Sequence, residues 1–106
     1  MNYFSNSAPN TPDPSTVSST GLSTRDLLLE RGKTHGSFDN NSTISLSLKC
    51  VIRSSSNYVT MTDPAKEALD MISHKIGRIC AGNPNFKDHW EDIAGYAQLV
   101  ADRCPE

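Results

Sequence analysis

The most regular pattern of apolar and polar positions begins at residue 63, where apolar residues recur at helical spacing in two adjacent segments. Asp63 and Pro64 predict the start of the first helix, because proline lacks only a donor that has no partner in a first turn. Gly82 predicts its end. The second helix is expected from Phe86 to Arg103, and Asn85 with Asp88 three residues on can cap it. The expected core positions are Ala65, Ala68, Leu69, Ile72, Ile76, Ile79 and Cys80 on the first helix, and Phe86, Trp90, Ile93, Ala94, Ala97, Val100, Ala101 and Cys104 on the second.

Only the short sequence AGNPN separates these two segments, which predicts that the helices pack as an antiparallel hairpin. Upstream, Ser23 or Thr24 can cap a short helix that Gly32 then ends, so that KTHGSFDNN is expected to form a loop. A further helix is expected over residues 41–53. The alternation of apolar residues in STISLSLKCVI equally favours a strand, and the local sequence does not decide between the two. As a helix, its apolar side is Ile44, Leu48, Val51 and Ile52.

The first 23 residues have a different composition, dominated by Ser, Thr, Asn and Pro, with Asp13 as the one charged side chain. Such a segment buries too little apolar surface to offset the entropy lost on ordering. The sequence therefore predicts a disordered tail over residues 1–23 and a small all-α domain over residues 24–106. A domain of this size has a marginal core, so a homo-oligomer is expected.

Bulk properties narrow the classes of function. A formal net charge of -2 argues against a general nucleic-acid binder, which normally carries a basic excess. Neither a membrane-spanning apolar run nor a secretory signal is found, and a cytoplasmic location is expected. The three cysteines are an odd number at wide spacing, which predicts buried free thiols rather than disulfides. No HxxxH or CxxC pattern occurs, so no metal site is predicted.

Candidate chemistry lies on the polar faces of the last two helices and in RGKTHGSF. In that string two glycines flank cations, and a loop there would point main-chain N–H groups at an anion. Each feature also has an ordinary structural interpretation, namely solvated faces, a plain connecting loop, and an ion pair between Lys75 and Asp92 across the hairpin. The predicted ligand-binding residues are Lys33, His35, His74, Lys75, Arg78, His89, Asp92 and Tyr96.

The strings RGKTHGSF and EALDMISHKIGRICAGNPNFKDHWEDIAGYAQLV resemble a family of short proteins encoded mainly by tailed bacteriophages and prophages, catalogued as a domain of unknown function. The resemblance covers residues 24–103. The DIAGYA helix also looks distantly like the second half of the MazG-like all-α nucleotide pyrophosphohydrolases, in which ExxE and ExxD motifs hold magnesium against a nucleoside triphosphate. This resemblance implies Glu67 and Asp70 as one acidic pair, with Asp92 on the other helix. The second pair of that pattern is incomplete.

The resemblance and the cationic and aromatic residues together lead to one principal expectation. It is a phage-type protein in the host cytoplasm that binds a nucleotide or other phosphorylated small molecule without a cofactor and without turnover, and so sequesters a host immune signal. One alternative is a magnesium-dependent pyrophosphohydrolase using Glu67, Asp70 and Asp92. The other is a protein–protein interaction module that uses a second apolar face at Met71, Tyr96 and Leu99.

Overall fold

The computed structural model describes residues 23–106, and within that range it contains four α-helices, one 3-10 turn and no strand. The prediction of an all-α domain is therefore confirmed. The predicted disordered tail lies, except for Ser23, outside the described residues. The helices are α1 (Thr24–His35), α2 (Phe38–Arg53), α3 (Asp63–Ala81) and α4 (Lys87–Ala101), and the 3-10 turn is Tyr58–Thr60.

The described residues fall into two units, residues 23–31 and residues 32–106. In the described part of the first unit, Ser23 caps α1, since its hydroxyl accepts a hydrogen bond of 3.1 Å from the N–H of Asp26. Leu28 and Leu29 are exposed there. The second unit contains the end of α1 and the whole of α2, α3 and α4.

The end of α1 differs from the sequence prediction. The helix continues through Gly32 to His35 and stops at Gly36, whose φ of 78° lies in the left-handed region that favours glycine. A glycine inside a helix costs about 1 kcal/mol relative to alanine but does not force the helix to end. The expected loop in RGKTHGSF is therefore wrong, and Lys33 and His35 lie in the last turn of a helix.

The segment that was ambiguous between helix and strand is helical, and it begins at Phe38 instead of residue 41. Ser37 caps it by accepting a hydrogen bond of 3.1 Å from the N–H of Asn40. Its buried residues are Asn41 and Ser45, whereas Val51 of the predicted apolar side is 70% exposed. Leu46, which belongs to the alternating apolar residues, is 61% exposed, so the alternation does not mark the face that packs.

Small and polar residues form the contact between α2 and α3. A Cβ atom added at Gly77 would lie 2.7 Å from Oδ1 of Asn41 and 3.4 Å from Cβ of Ser45. Ser73, one turn earlier on α3, is also buried, and its hydroxyl donates to the carbonyl of Leu69 at 2.8 Å. The absence of large side chains here lets the two helix backbones approach closely.

The boundaries of α3 and α4 are close to those expected. Thr62 caps α3 in place of Asp63, because its hydroxyl accepts a bond of 3.4 Å from the N–H of Ala65, and Gly82 ends the helix as predicted. The helix α4 starts at Lys87 without a side-chain cap. Asn85 does not cap it, because Phe86 occupies the N-cap position. The N–H of Asn85 donates to the side chain of Asn83 at 3.0 Å.

The interior of the described region is smaller and more polar than the pattern predicts. Of the apolar side chains in residues 23–106, those of Ala68 and Ile79 are buried. Trp90, expected in the core, is 53% exposed, and its indole N–H donates to the carbonyl of Pro84 at 2.8 Å. All three cysteines are free but exposed, so the prediction of buried thiols is wrong.

Within the same residues, no helix combines the length and the apolar character that crossing a bilayer requires.

Candidate functional site

The site is built around the junction of α1 with the turn between α3 and α4. A Cβ atom at Gly36 would collide with the carbonyl of Ala81, and one at Gly82 would collide with the carbonyl of Thr34. The N–H of Asn83 donates to that Thr34 carbonyl at 2.9 Å. Two glycines therefore allow the end of α1 to lie directly on the end of α3.

His89 lies beneath this junction and is 1% exposed. Its Nε2 atom is 3.3 Å from the carbonyl oxygen of Thr34. Because a carbonyl only accepts, Nε2 carries the hydrogen and donates it. The sequence placed His89 on a polar flank of α4, but the structure buries it as the side chain that ties α4 to α1.

Two aromatic rings enclose His89. The ring centroids of His35 and His89 are 4.9 Å apart, and Phe86 lies at the same distance from His89 with an edge-to-face angle of 66°. His35 and Phe86 are themselves 6.3 Å apart. The predicted ligand-binding residues His35 and His89 are thus neighbours, held together by aromatic packing.

An ion pair joins α3 to α4 further along the hairpin. The ammonium nitrogen of Lys75 lies 2.7 Å from Oδ2 of Asp92, with 12% of the lysine side chain and 41% of the aspartate side chain exposed. Burial lowers the pKa of Lys75, and the hydrogen bond to Asp92 opposes that effect. An ion pair between Lys75 and Asp92 across the hairpin was one interpretation of the sequence, and the structure contains that pair.

Further basic side chains lie around Lys75. Burial, followed by the charges of Arg78, Lys49 and Lys75, lowers the pKa of His74 to about 4. Burial also lowers the pKa of His89; the Thr34 hydrogen bond opposes this, and the charges of Arg78 and Lys75 add to it. We refer to His74, Lys75, Arg78 and His89 as the cationic cluster.

The cationic cluster combines two cationic side chains, Lys75 and Arg78, with two histidines. Burial and neighbouring positive charge lower the pKa of both histidines and so favour their neutral form. Asp92 partly offsets these charges through its pair with Lys75. Lys49 adds a further cation from α2, and sequence reasoning missed it. The signal that could have found it is its spacing from the buried Asn41 and Ser45, at four-residue intervals on one face of α2.

The carboxylates implied by the pyrophosphohydrolase resemblance are dispersed. Asp70 forms an ion pair of 3.0 Å with Arg53, Asp92 is paired with Lys75, and Glu67 is exposed on α3. Among residues 23–106, no three His, Cys, Asp or Glu side chains are grouped so that they could hold a metal ion. This arrangement does not fit magnesium, which needs carboxylate oxygens converging on one octahedral ion.

Two predicted ligand-binding residues lie outside the contacts described so far. Lys33 is exposed in the last turn of α1, two residues before His35. Tyr96 is partly buried on α4, one helical turn after Asp92.

A separate apolar groove of about 360 Å³ runs along the other half of the hairpin. Its lining comes from Met61, the first half of α3 and the last half of α4, and the two helix segments are in the register expected of antiparallel helices. None of the cationic cluster contributes to it. The lining residues are Met61, Ala65, Ala68, Leu69, Ile72, Ala97 and Val100.

Comparison with known proteins finds no relative of this chain. No family model, no curated protein and no solved structure matches the chain. The resemblance of its sequence to phage proteins and to pyrophosphohydrolases therefore stays a prediction.

Proposed function

We propose that this protein binds a nucleotide, or another phosphorylated small molecule, at the cationic cluster and does not turn it over. The observation that carries the proposal is the concentration of basic side chains on α3 and on the neighbouring turns of α2 and α4. Lys75, Arg78 and Lys49 are near enough to lower the pKa of His74 together, whereas Asp92 is the acid paired within the cluster. A phosphate group would add negative charge and hydrogen-bond acceptors beside these cations.

The chemistry of the donors suits an oxyanion. The guanidinium of Arg78 can present two parallel N–H donors to a phosphate, and the Lys75 ammonium adds a point charge that burial makes more effective. His74 becomes a further donor if an anion restores its pKa toward the ordinary value. Aromatic surface for a base is available at this end of the hairpin from the partly buried rings of His35 and Phe86.

The positions of the carboxylates support binding without hydrolysis. Asp70 and Asp92 are each neutralised by a different cation, so neither presents a free pair of oxygens to magnesium. A protein that holds a nucleotide without converting it lowers its free concentration. Together with the sequence resemblance to phage proteins, this supports sequestration of a host immune signalling nucleotide in the host cytoplasm as the biological role.

The test is a thermal-shift experiment in EDTA with cyclic dinucleotides, cyclic ADP-ribose, ADP and inorganic pyrophosphate as probes. A probe present at 100 times its dissociation constant adds about 2.7 kcal/mol to the free energy of unfolding. For a domain of this size that raises Tm by roughly 10 °C or more. Absence of a shift with every probe would contradict the proposal.

Two arginine substitutions locate the site. Arg78→Gln removes a charge from the cationic cluster and should weaken binding at least tenfold in calorimetry. Arg103→Gln is the matched control, because Arg103 is exposed beyond the end of α4 and donates to the carbonyl of Leu99. Equal losses in both variants would indicate a general charge effect and remove the site from α3.

A further inference from the structure

The last turn of α1 is anchored to the α3–α4 turn through one shared acceptor, the carbonyl oxygen of Thr34. The N–H of Asn83 donates to it at 2.9 Å, and Nε2 of His89 lies 3.3 Å from it. Residues 32–35 belong to the same compact unit as α3 and α4, so this anchor lies within one unit. Because both contacts end on one oxygen atom, a change at the His89 ring acts directly on the anchor.

The surrounding chain encloses the His89 ring almost completely. The residue is 1% exposed, and the rings of His35 and Phe86 have their centroids 4.9 Å from its own. Since Nε2 donates its hydrogen to Thr34, Nδ1 is the atom that takes up a proton in acid. A proton there places a full charge in a space from which water is nearly excluded, and burying such a charge is costly.

Neighbouring charges also act on the ring. The titratable and charged groups next to it are His35 from α1, His74, Lys75 and Arg78 from α3, and Asp92 from α4. Positive charge on Arg78 and Lys75 opposes a proton on the ring, whereas Asp92 and the Thr34 carbonyl favour it. Burial and the two cations prevail, and the pKa of His89 is lowered from its ordinary value. The closed junction therefore favours the neutral ring.

We propose that the contact between His89 and Thr34 is a proton-sensitive latch, which releases the last turn of α1 from the α3–α4 turn when the buried ring takes up a proton. After release the charged imidazole reaches water, so the cost of burying the charge is removed. The Nε2 donor itself survives protonation, and release follows from the cost of the enclosed charge. The latch requires no bound ligand, so it does not depend on nucleotide binding at the cationic cluster.

Glycines on both sides of the turn give the backbone the freedom that release requires. A Cβ atom added at Gly32 would meet nothing within 4 Å, and Gly36 adopts a φ of 78°. Glycine accepts a wider range of backbone angles than other residues, so the chain can adjust before and after the turn. The amide of Asn41 donates to the carbonyl of His35 at 3.4 Å, which is long for a hydrogen bond and opposes release weakly.

The packing of α2, α3 and α4 does not involve the latch. The ammonium of Lys75 and the carboxylate of Asp92 join α3 to α4 at 2.7 Å, and Gly77 of α3 lies against Asn41 of α2. Neither contact includes the carbonyl of Thr34. Release of the turn is therefore a local opening, separate from unfolding of the domain.

An NMR titration of the wild-type protein from about pH 7.5 to about pH 5 tests the latch. The range ends above the pKa of about 4 of His74, so that ring stays mostly neutral. The amide resonance of Asn83 should shift upfield as its bond to Thr34 is lost, with the same midpoint as the ring resonances of His89. Solvent exchange of that amide should accelerate about tenfold or more beyond the intrinsic pH effect. The amide of Gly77, inside α3, should keep its position.

Two results of this titration would overturn the proposal. An Asn83 resonance that does not move down to pH 5, whether or not the His89 ring titrates, would mean that the junction stays closed. A Gly77 resonance that moves with the same midpoint as Asn83 would mean that the whole domain unfolds and that no local opening precedes it.

A pair of histidine substitutions assigns the proton. His89→Gln keeps a side-chain N–H donor for Thr34 but cannot take up a proton, so the Asn83 resonance should no longer respond to pH. His74→Gln is the matched control, because it removes the neighbouring imidazole from α3, and Asn83 should titrate as in the wild type. Persistent titration in His89→Gln, or its loss in His74→Gln, would overturn the assignment to His89. The wild-type titration decides the proposal even where glutamine does not close the junction.

Discussion

The ammonium group of Lys75 and the carboxylate of Asp92, 2.7 Å apart, join α3 to α4 through a pair with one inner and one outer member. The lysine side chain is 12% exposed, whereas the aspartate side chain is 41% exposed. The lysine therefore depends on its partner for stabilisation more than the aspartate does. Removing the lysine and removing the aspartate should therefore have different effects on stability.

Asp92→Asn should destabilise the domain by about 1–2 kcal/mol, because it leaves a largely buried ammonium without its counter-charge. The same substitution should tighten the binding of a phosphate probe, since it removes the acid paired within the cationic cluster. Urea denaturation measures the first effect, and calorimetry with inorganic pyrophosphate measures the second.

Lys75→Met is the comparison for that substitution. It replaces the buried cation by an apolar side chain of similar length, so it should cost less stability than Asp92→Asn while weakening anion binding. Tighter binding in Lys75→Met, or weaker binding in Asp92→Asn, would mean that anions do not bind next to this pair.

Acid should destabilise the domain between pH 6.5 and about 4, because the pKa of His74 is lowered to about 4 in the folded state. Across this window His74 binds a proton in the unfolded chain but stays neutral in the folded chain, so the free energy of unfolding falls as pH falls. The expected loss is about 2 kcal/mol, since one pKa unit corresponds to about 1.4 kcal/mol and solvent screens part of the effect.

His74→Gln provides the control for this pH dependence. It removes the titrating ring, so urea midpoints measured at pH 7, 5.5 and 4.5 should decline less steeply than in the wild type. Part of the slope should remain, because the pKa of His89 is lowered in the same direction. An unchanged slope would show that His74 is solvated in the folded state.

Two helical glycines should respond in opposite directions to alanine. Gly77→Ala places a methyl group 2.7 Å from Oδ1 of Asn41 and should destabilise the domain by about 1–3 kcal/mol by forcing α2 away from α3. Gly95→Ala meets nothing within 4 Å and should stabilise it by about 0.5–1 kcal/mol, because alanine restricts the unfolded chain.

Thermal denaturation of the two variants beside the wild type measures both effects. Because the amino-acid change is identical, any difference in sign comes from the surroundings of each site. Stabilisation by both substitutions would contradict the close approach of α2 to α3 at Asn41.

Magnesium should not elicit turnover. Purified protein incubated with nucleoside triphosphates and magnesium should release pyrophosphate no faster than buffer does, since Asp70 and Asp92 are engaged by Arg53 and Lys75. Magnesium-dependent release that is lost in both Glu67→Gln and Asp92→Asn would instead support the pyrophosphohydrolase alternative.

The sequence predicts the helices well where the signals are local. Pro64 and Gly82 bound α3 to within about a residue, and the short turn predicts the hairpin that the Lys75–Asp92 pair confirms. The end of α1 is mispredicted because Gly32 and Gly36 look alike in sequence. Only Gly36 adopts a positive φ, and it does so where α1 meets the end of α3.

Burial was harder to predict than secondary structure. His89 is buried against the carbonyl of Thr34, which lies 55 residues earlier in the chain, and no local sequence pattern contains that contact. Trp90, the next residue, is exposed although it follows the apolar periodicity of α4. In both cases packing against distant residues, and not the residue type, determines burial. The polar interior therefore could not be predicted from the spacing of hydrophobic residues.

The Thr34 carbonyl, which accepts from both Asn83 and His89, has a consequence for the order of folding. The α2–α3 and α3–α4 contacts close short loops, whereas this junction closes a segment of about fifty residues and loses more chain entropy on forming. It should therefore form after the main barrier. His89→Leu should accelerate unfolding in stopped-flow measurements and leave the refolding rate nearly unchanged.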